Sequence, residues 1–69
     1  MNKYTIIIEK TGTGYSAYVP DLPGCITVGD TVDQTRDFIK EAIELYLEQL
    51  RLDGKEIPKP TTISDIITV

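Results

Sequence analysis

The side chains placed where chemistry would be sought are few: Glu9 after an apolar run, Asp21 and Cys25 in a proline-rich corner, and Tyr15 and Tyr18 just before it. The chain has no histidine, so neither the Ser–His nor the Cys–His pair that activates a nucleophile can form. Gly12-Thr-Gly14 lacks the third glycine and the following helix of a phosphate-cradling loop. Metal-dependent nuclease chemistry needs carboxylates gathered on the sheet, and the expected strands offer Glu9, with Asp21 at a corner. A residual nucleic-acid enzyme would therefore rest on Glu9 and Asp21. The expectation is no catalytic residue, no metal site and no cofactor. Cys25 has no neighbouring Lys or Arg to lower its pKa and reads as a buried small hydrophobe rather than a reactive thiol. Asp21 reads as a turn former. Tyr15 and Tyr18 fall on opposite faces of one strand, one in the core and one exposed as a contact residue.

The elements that must position these groups can be read in order. Residues 3–9, Lys-Tyr-Thr-Ile-Ile-Ile-Glu, are β-branched and aromatic and predict a strand with Tyr4, Ile6 and Ile8 on one face. Lys10-Thr-Gly-Thr-Gly14 predicts a hairpin turn with two glycines available for positive φ. Residues 15–19 form the second strand, with Tyr15, Ala17 and Val19 alternating against Ser16 and Tyr18. Pro20-Asp-Leu-Pro-Gly24 makes the corner, where Pro23-Gly24 suits the centre of a type II turn. Residues 25–28 resume as a third strand, and Gly29-Asp30 turns the chain toward a helix.

Thr31 predicts the helix N-cap, with Gln34 completing a capping box, and Asp53-Gly54 predicts the stop near Leu52. Val32, Ile39, Ala42, Ile43, Tyr46, Leu47 and Leu50 fall within about 120° of arc and define the core face. Asp33, Asp37, Glu41, Glu44 and Glu48 form an outer acidic ridge. It reads either as a solvated face or as a steering surface for a basic partner. Phe38, Leu45 and Leu52 form a second apolar line, either packed under the C-terminal tail or serving as an oligomer interface. Lys55-Glu-Ile-Pro-Lys-Pro60 reads as an extended linker. In the tail, Thr62 with Asp65 predicts one capped helical turn, and Ile66 to Val69 a short strand.

These elements predict an α+β class, a three-stranded antiparallel sheet packed on one long helix. Sixty-nine residues make one domain, 1–69, whose core supplies no more than about 3–5 kcal/mol. One cysteine and no histidine leave no intrachain disulfide and no ordinary zinc site, so self-association as a dimer or tetramer is the expected further source of stability. The apolar N-terminal run is too short for a signal segment or a membrane span, which points to the cytoplasm and no membrane partner. A net charge of −4 and a pI near 4.5 argue against direct DNA or RNA backbone binding and fit a basic protein partner. Plain solubility is the other reading of that charge.

Tyr18-Val-Pro-Asp-Leu-Pro-Gly-Cys25, Gly29-Asp-Thr31, Glu41-Ala-Ile-Glu44 and Asp53-Gly-Lys-Glu-Ile-Pro-Lys-Pro60 together resemble the HicB antitoxin family over nearly the whole chain. The resemblance implies a β-β-β-α-β domain, a partly degenerate RNase H-like fold without nuclease activity. It further implies that the chain binds a small basic HicA-like toxin, an RNA-cleaving enzyme, and neutralises it by covering its active site. Longer family members add a C-terminal helix-turn-helix or ribbon-helix-helix segment that binds operator DNA. This chain stops at Val69, so DNA binding is not carried over. The expected partner-binding residues are Tyr18, Pro20, Asp21, Leu22 and Pro23, and the expected oligomer interface is Phe38, Leu45 and Leu52. A stand-alone oligomeric module for another protein or ligand is the competing reading.

Overall fold

The computed structural model describes residues 2–69. Strands β1 (Ile7–Lys10), β2 (Tyr15–Tyr18) and β3 (Ile26–Gly29) precede one helix, α1 (Val32–Leu52). The strands form an antiparallel sheet in the order β1-β2-β3, as the sequence predicts. Ile8, Ala17 and Thr27 stand side by side across the sheet, as do Ile7, Tyr18 and Ile26. Ala17 is buried, which identifies the first row as the face under α1 and the second as the outer face.

Each junction has a local cause. At the β1–β2 turn Thr11 N–H donates to Gly14 C=O, and Gly14 N–H donates back to the Thr11 hydroxyl. Neither Gly12 nor Gly14 adopts the positive φ expected of them. Gly14 serves by lacking a side chain, because a Cβ there would collide with the Gly29 carbonyl. At the helix start Thr31 is extended, with φ −128 and ψ 163, and its hydroxyl accepts from Gln34 N–H at 3.0 Å. The Gln34 side chain returns the bond one residue early, accepting from Asp30 N–H at 2.7 Å. At the helix end Gly54 takes φ +69, its N–H donates to Arg51 C=O, and Lys55 N–H reaches Leu50 C=O. That pair of bonds is the Schellman arrangement, and only glycine enters it without strain.

The core is Ala17, Val19, Leu22, Cys25 and Ile39, with Tyr4, Ile6, Ile8, Ala42, Ile43, Tyr46 and Leu47 packed around it. Two residues correct the helix pattern. Val32 is 46% exposed, so the first helical position stays outside the core although its spacing places it on that face. Thr35 is fully buried instead, its hydroxyl donating to Thr31 C=O at 2.7 Å, which satisfies the polar atom that burial would otherwise penalise.

The tail also departs from expectation. Residues 55–69 contain neither the helical turn nor the strand predicted there. Thr62 donates its N–H and hydroxyl to Asp21, and no helical turn follows it. Asp65 accepts from its neighbour Ile66 N–H at 2.7 Å. Ile66, Ile67 and Val69 are exposed and pair with no strand of the sheet.

Candidate partner-binding surface

Two consecutive turns build the corner. Leu22 N–H donates to Val19 C=O at 3.0 Å, and Cys25 N–H donates to Leu22 C=O at 3.0 Å. Pro20 and Pro23 occupy the second position of each turn, where a fixed φ is already suitable. Gly24, at φ +82, supplies the left-handed third position of the expected type II turn. Val19 N–H then closes the loop on Cys25 C=O at 3.2 Å, and the Tyr46 hydroxyl holds Pro23 C=O to the helix at 2.9 Å. Cys25 therefore ends the corner, and β3 starts one residue later than expected.

The expected contact residues separate into two groups. Tyr18 is 40% exposed, and Pro20 and Pro23 are exposed. Leu22 has no exposed surface, unlike the other expected contact residues, because the double turn points it into the core cluster that also holds Ile39. Asp21 is not a free carboxylate either. One oxygen accepts from the N–H groups of Thr61 and Thr62, each at 3.1 Å. The other accepts from their hydroxyls at 2.9 and 2.8 Å. Forty residues of chain separate these groups, and nothing local in the sequence signals the contact.

The same tail segment is held from β1's side. The Tyr4 hydroxyl donates to Pro58 C=O and Thr5 Oγ1 donates to Thr62 C=O. Burial, then the nearby Asp21 carboxylate, push the Tyr4 phenol above its usual range, which keeps it a donor. Asp21 is held below the usual aspartate value, first by the Thr62 N–H and hydroxyl and then by the Thr61 bonds. A carboxyl whose folded pKa is depressed contributes its stabilisation fully above the unfolded value and loses it as pH falls through the folded value. Acidification should therefore release the tail while the sheet persists. Amide exchange at Thr61 and Thr62 is expected to accelerate below the usual aspartate range, and Asp21→Ala should reproduce that acceleration at neutral pH. Unchanged protection in the variant would show that Tyr4 and Thr5 hold the tail alone.

The remaining candidates for chemistry do not converge. Glu9 lies on β1 opposite Ser16, while Asp21 lies past the end where Ile7 faces Tyr18. The two carboxylates thus sit toward opposite ends of the sheet. Among the described residues no group of His, Cys, Asp and Glu could hold a metal ion. Cys25 is 4% exposed, and burial pushes its thiol pKa up, consistent with its reading as a core residue. The ridge acids Asp33, Asp37, Glu41, Glu44 and Glu48 are exposed. Among the described residues no helix is long and apolar enough to cross a membrane.

The second apolar line is open. Phe38, Leu45 and Leu52 are 41%, 66% and 75% exposed, so the tail does not cover them. One surface feature escaped the sequence pattern: Ile26 and Val28, in the short third strand, are each 70% exposed on the outer face. Their alternation with Thr27 was the available signal.

Comparison with known proteins matches residues 4–69 to the model of the HicB_like antitoxin of bacterial toxin-antitoxin systems. A 14.9 kDa protein of Haemophilus phage HP1 is 42% identical over 64 residues, covering 93% of this chain and 48% of that protein. Antitoxin HicB 2 of Photorhabdus laumondii is 33% identical over 64 residues, 87% of this chain and 43% of that protein. This chain thus spans about half the length of both. A chain in a solved HicA3 and HicB3 toxin-antitoxin complex superimposes with a TM-score of 0.74 at 33% identity, covering 87% of this chain and 70% of that one.

Proposed function

We propose that this chain, which belongs to the HicB-like antitoxin family of bacterial toxin-antitoxin systems, binds a HicA-like RNA-cleaving toxin and neutralises it by covering the toxin's active site. The observation that carries this reading is the likeness in both fold and sequence to a chain of a solved toxin–antitoxin complex. The family is one of antitoxins, not of enzymes. The separation of Glu9 from Asp21, with Asp21 occupied by the tail, supports a degenerate RNase H-like domain, residues 1–69, that does not cleave nucleic acid.

The charge supports a basic partner. The acidic ridge on α1 and a net charge of −4 raise the rate at which a cationic protein is met, and repel a phosphate backbone. Contact then falls to the exposed corner, where Tyr18, Pro20 and Pro23 form a surface stiffened from within by Leu22 and from the side by Asp21. Such a rigid edge loses little entropy on binding. The proposed setting is the cytoplasm, where an RNA-cleaving toxin meets its substrate.

The test is direct. The purified protein, mixed with a basic HicA-like toxin encoded beside it, should co-elute on gel filtration and abolish RNA cleavage. Tyr18→Ala should weaken inhibition, and raising the salt concentration should slow association more than it speeds dissociation. Separate elution with undiminished cleavage overturns the proposal and leaves a stand-alone binding module.

A further inference from the structure

We propose that the cleft between α1 and the segment leading into β1 binds a free long-chain organic anion, a carboxylate carried on an unbranched hydrocarbon chain. The corner residues Tyr18, Pro20 and Pro23 lie outside its lining, and such a site is independent of the antitoxin reading.

The cleft is open and measures about 800 Å³, within the ~300–1,000 Å³ typical of small-molecule sites. Its floor is apolar, with Tyr4 and Ile6 from the sheet side and Ile39, Ile43 and Leu47 from the helix. Ile39 is buried, while Ile6, Ile43 and Leu47 are only half-buried. Part of each therefore still faces the opening. Apolar surface left in a concave site is surface that a ligand's hydrocarbon removes from water.

The charge on that floor's rim sets the ligand's sign. In a chain of net charge −4, three of the seven Lys and Arg residues, Arg36, Lys40 and Arg51, line this one cleft. Asp37 and Glu44 line it too, so position decides which charge a ligand meets. At about 100° per residue, Arg36, Lys40 and Arg51 fall beside Ile43 and Leu47, whereas Asp37 and Glu44 lie farther round the helix. The cations thus form the inner bank and the acids the outer one. Arg36 and Lys40 stand one turn apart, a pair of like charges that repel each other. A carboxylate set between them relieves that repulsion and can take the Arg36 guanidinium through two hydrogen bonds.

The shape of the cleft sets the rest of the molecule. From Arg36 to Arg51 the helix rises roughly 22 Å, and Ile39, Ile43 and Leu47 run along that length. A hydrocarbon chain leaving the Arg36–Lys40 pair therefore lies along these three residues toward Tyr4 and Arg51. Tyr4 is fixed there by its hydroxyl, which donates to Pro58 C=O. Burial and Asp21 raise the Tyr4 pKa while Arg51 draws it down, which sets the Arg51 guanidinium close to that phenol. The outer acids, with the exposed Glu41 and Glu48 beyond them, repel an anionic bilayer surface. The ligand is thus the free amphiphile rather than one held in a membrane.

Titration of the purified protein with octanoate, followed by amide chemical shifts, tests the site. The resonances of Ile6, Ile39, Lys40, Ile43 and Leu47 should move together and saturate, while those of Tyr18 and Ile26 stay in place. Octanol carries the chain without the charge, and acetate the charge without the chain. Each should bind at least ~10-fold more weakly than octanoate. The double variant Arg36→Gln/Lys40→Gln, at two exposed positions, should weaken octanoate about tenfold with octanol binding and the circular dichroism spectrum unchanged. Phosphatidylglycerol vesicles should not sediment the protein. Absence of a saturable shift, or shifts centred outside the cleft, overturns the proposal. So does octanol or acetate binding as well as octanoate, or full octanoate affinity in the double variant. Sedimentation with the vesicles overturns it by placing the ligand in a membrane.

Discussion

Leu22→Ala should cost about 2–5 kcal/mol of unfolding free energy, the range for truncating a fully buried leucine. That loss is comparable to everything a core of this size supplies, so the variant is expected to be largely unfolded at ambient temperature. Leu22 is one of the largest side chains with no exposed surface. The two turns that present it are closed by hydrogen bonds from Leu22 N–H and to Leu22 C=O, so the corner has little freedom to collapse into the space left behind. Urea denaturation followed by circular dichroism reads the change, with the midpoint falling steeply. A loss under about 1 kcal/mol would mean that the prolines hold the corner without its buried anchor. The consequence for the proposed contact surface is specific: Tyr18, Pro20 and Pro23 should lose their fixed arrangement because Leu22 no longer anchors the loop in the core.

The helix, its caps and the Pro23-Gly24 turn were legible because each is specified by residues within a few positions of one another. Thr31 with Gln34, and Asp53 with Gly54, need no tertiary information to act. The corner was legible as a backbone shape and illegible as a packing unit. Leu22 sits between two turn formers, Asp21 and Pro23, and only the inward rotation of the double turn makes it core. Asp21 shows the same limit at longer range. Its turn-forming character is local, but its carboxylate is claimed by Thr61 and Thr62 after a whole helix has intervened. That claim also bears on the tail, whose local pattern of Thr62 and Asp65 favoured a helical turn but whose Thr61 and Thr62 are tied to the corner instead. Thr35 escaped because a polar residue at a core-facing angle is buried only where its hydroxyl finds a partner one turn back. The outer apolar surface of β3 escaped because four residues are too few for alternation to stand out.

Gly29→Ala should be strongly destabilising, at about 1–3 kcal/mol for overpacking a closed site. Gly29 ends β3 opposite Tyr15, directly beneath the first turns of α1. A Cβ there would lie 2.5 Å from Thr35 Oγ1, 3.0 Å from Thr35 N and 3.1 Å from its Cα. Thr35 cannot retreat, because its N–H and hydroxyl both donate to Thr31 C=O at 2.9 and 2.7 Å. The added methyl must therefore push the start of the helix off the end of the sheet. Gly24→Ala is a contrasting control. A Cβ at Gly24 meets nothing within 4 Å, so its cost is only that of holding alanine at φ +82, roughly 1–2 kcal/mol. The double variant Gly29→Ala/Thr35→Ala separates the mechanisms. Deleting Oγ1 removes the nearest clash and leaves the two backbone ones, so recovery in denaturant midpoint should be partial. Full recovery would place all of the strain in the hydroxyl, and none would place it in the helix backbone.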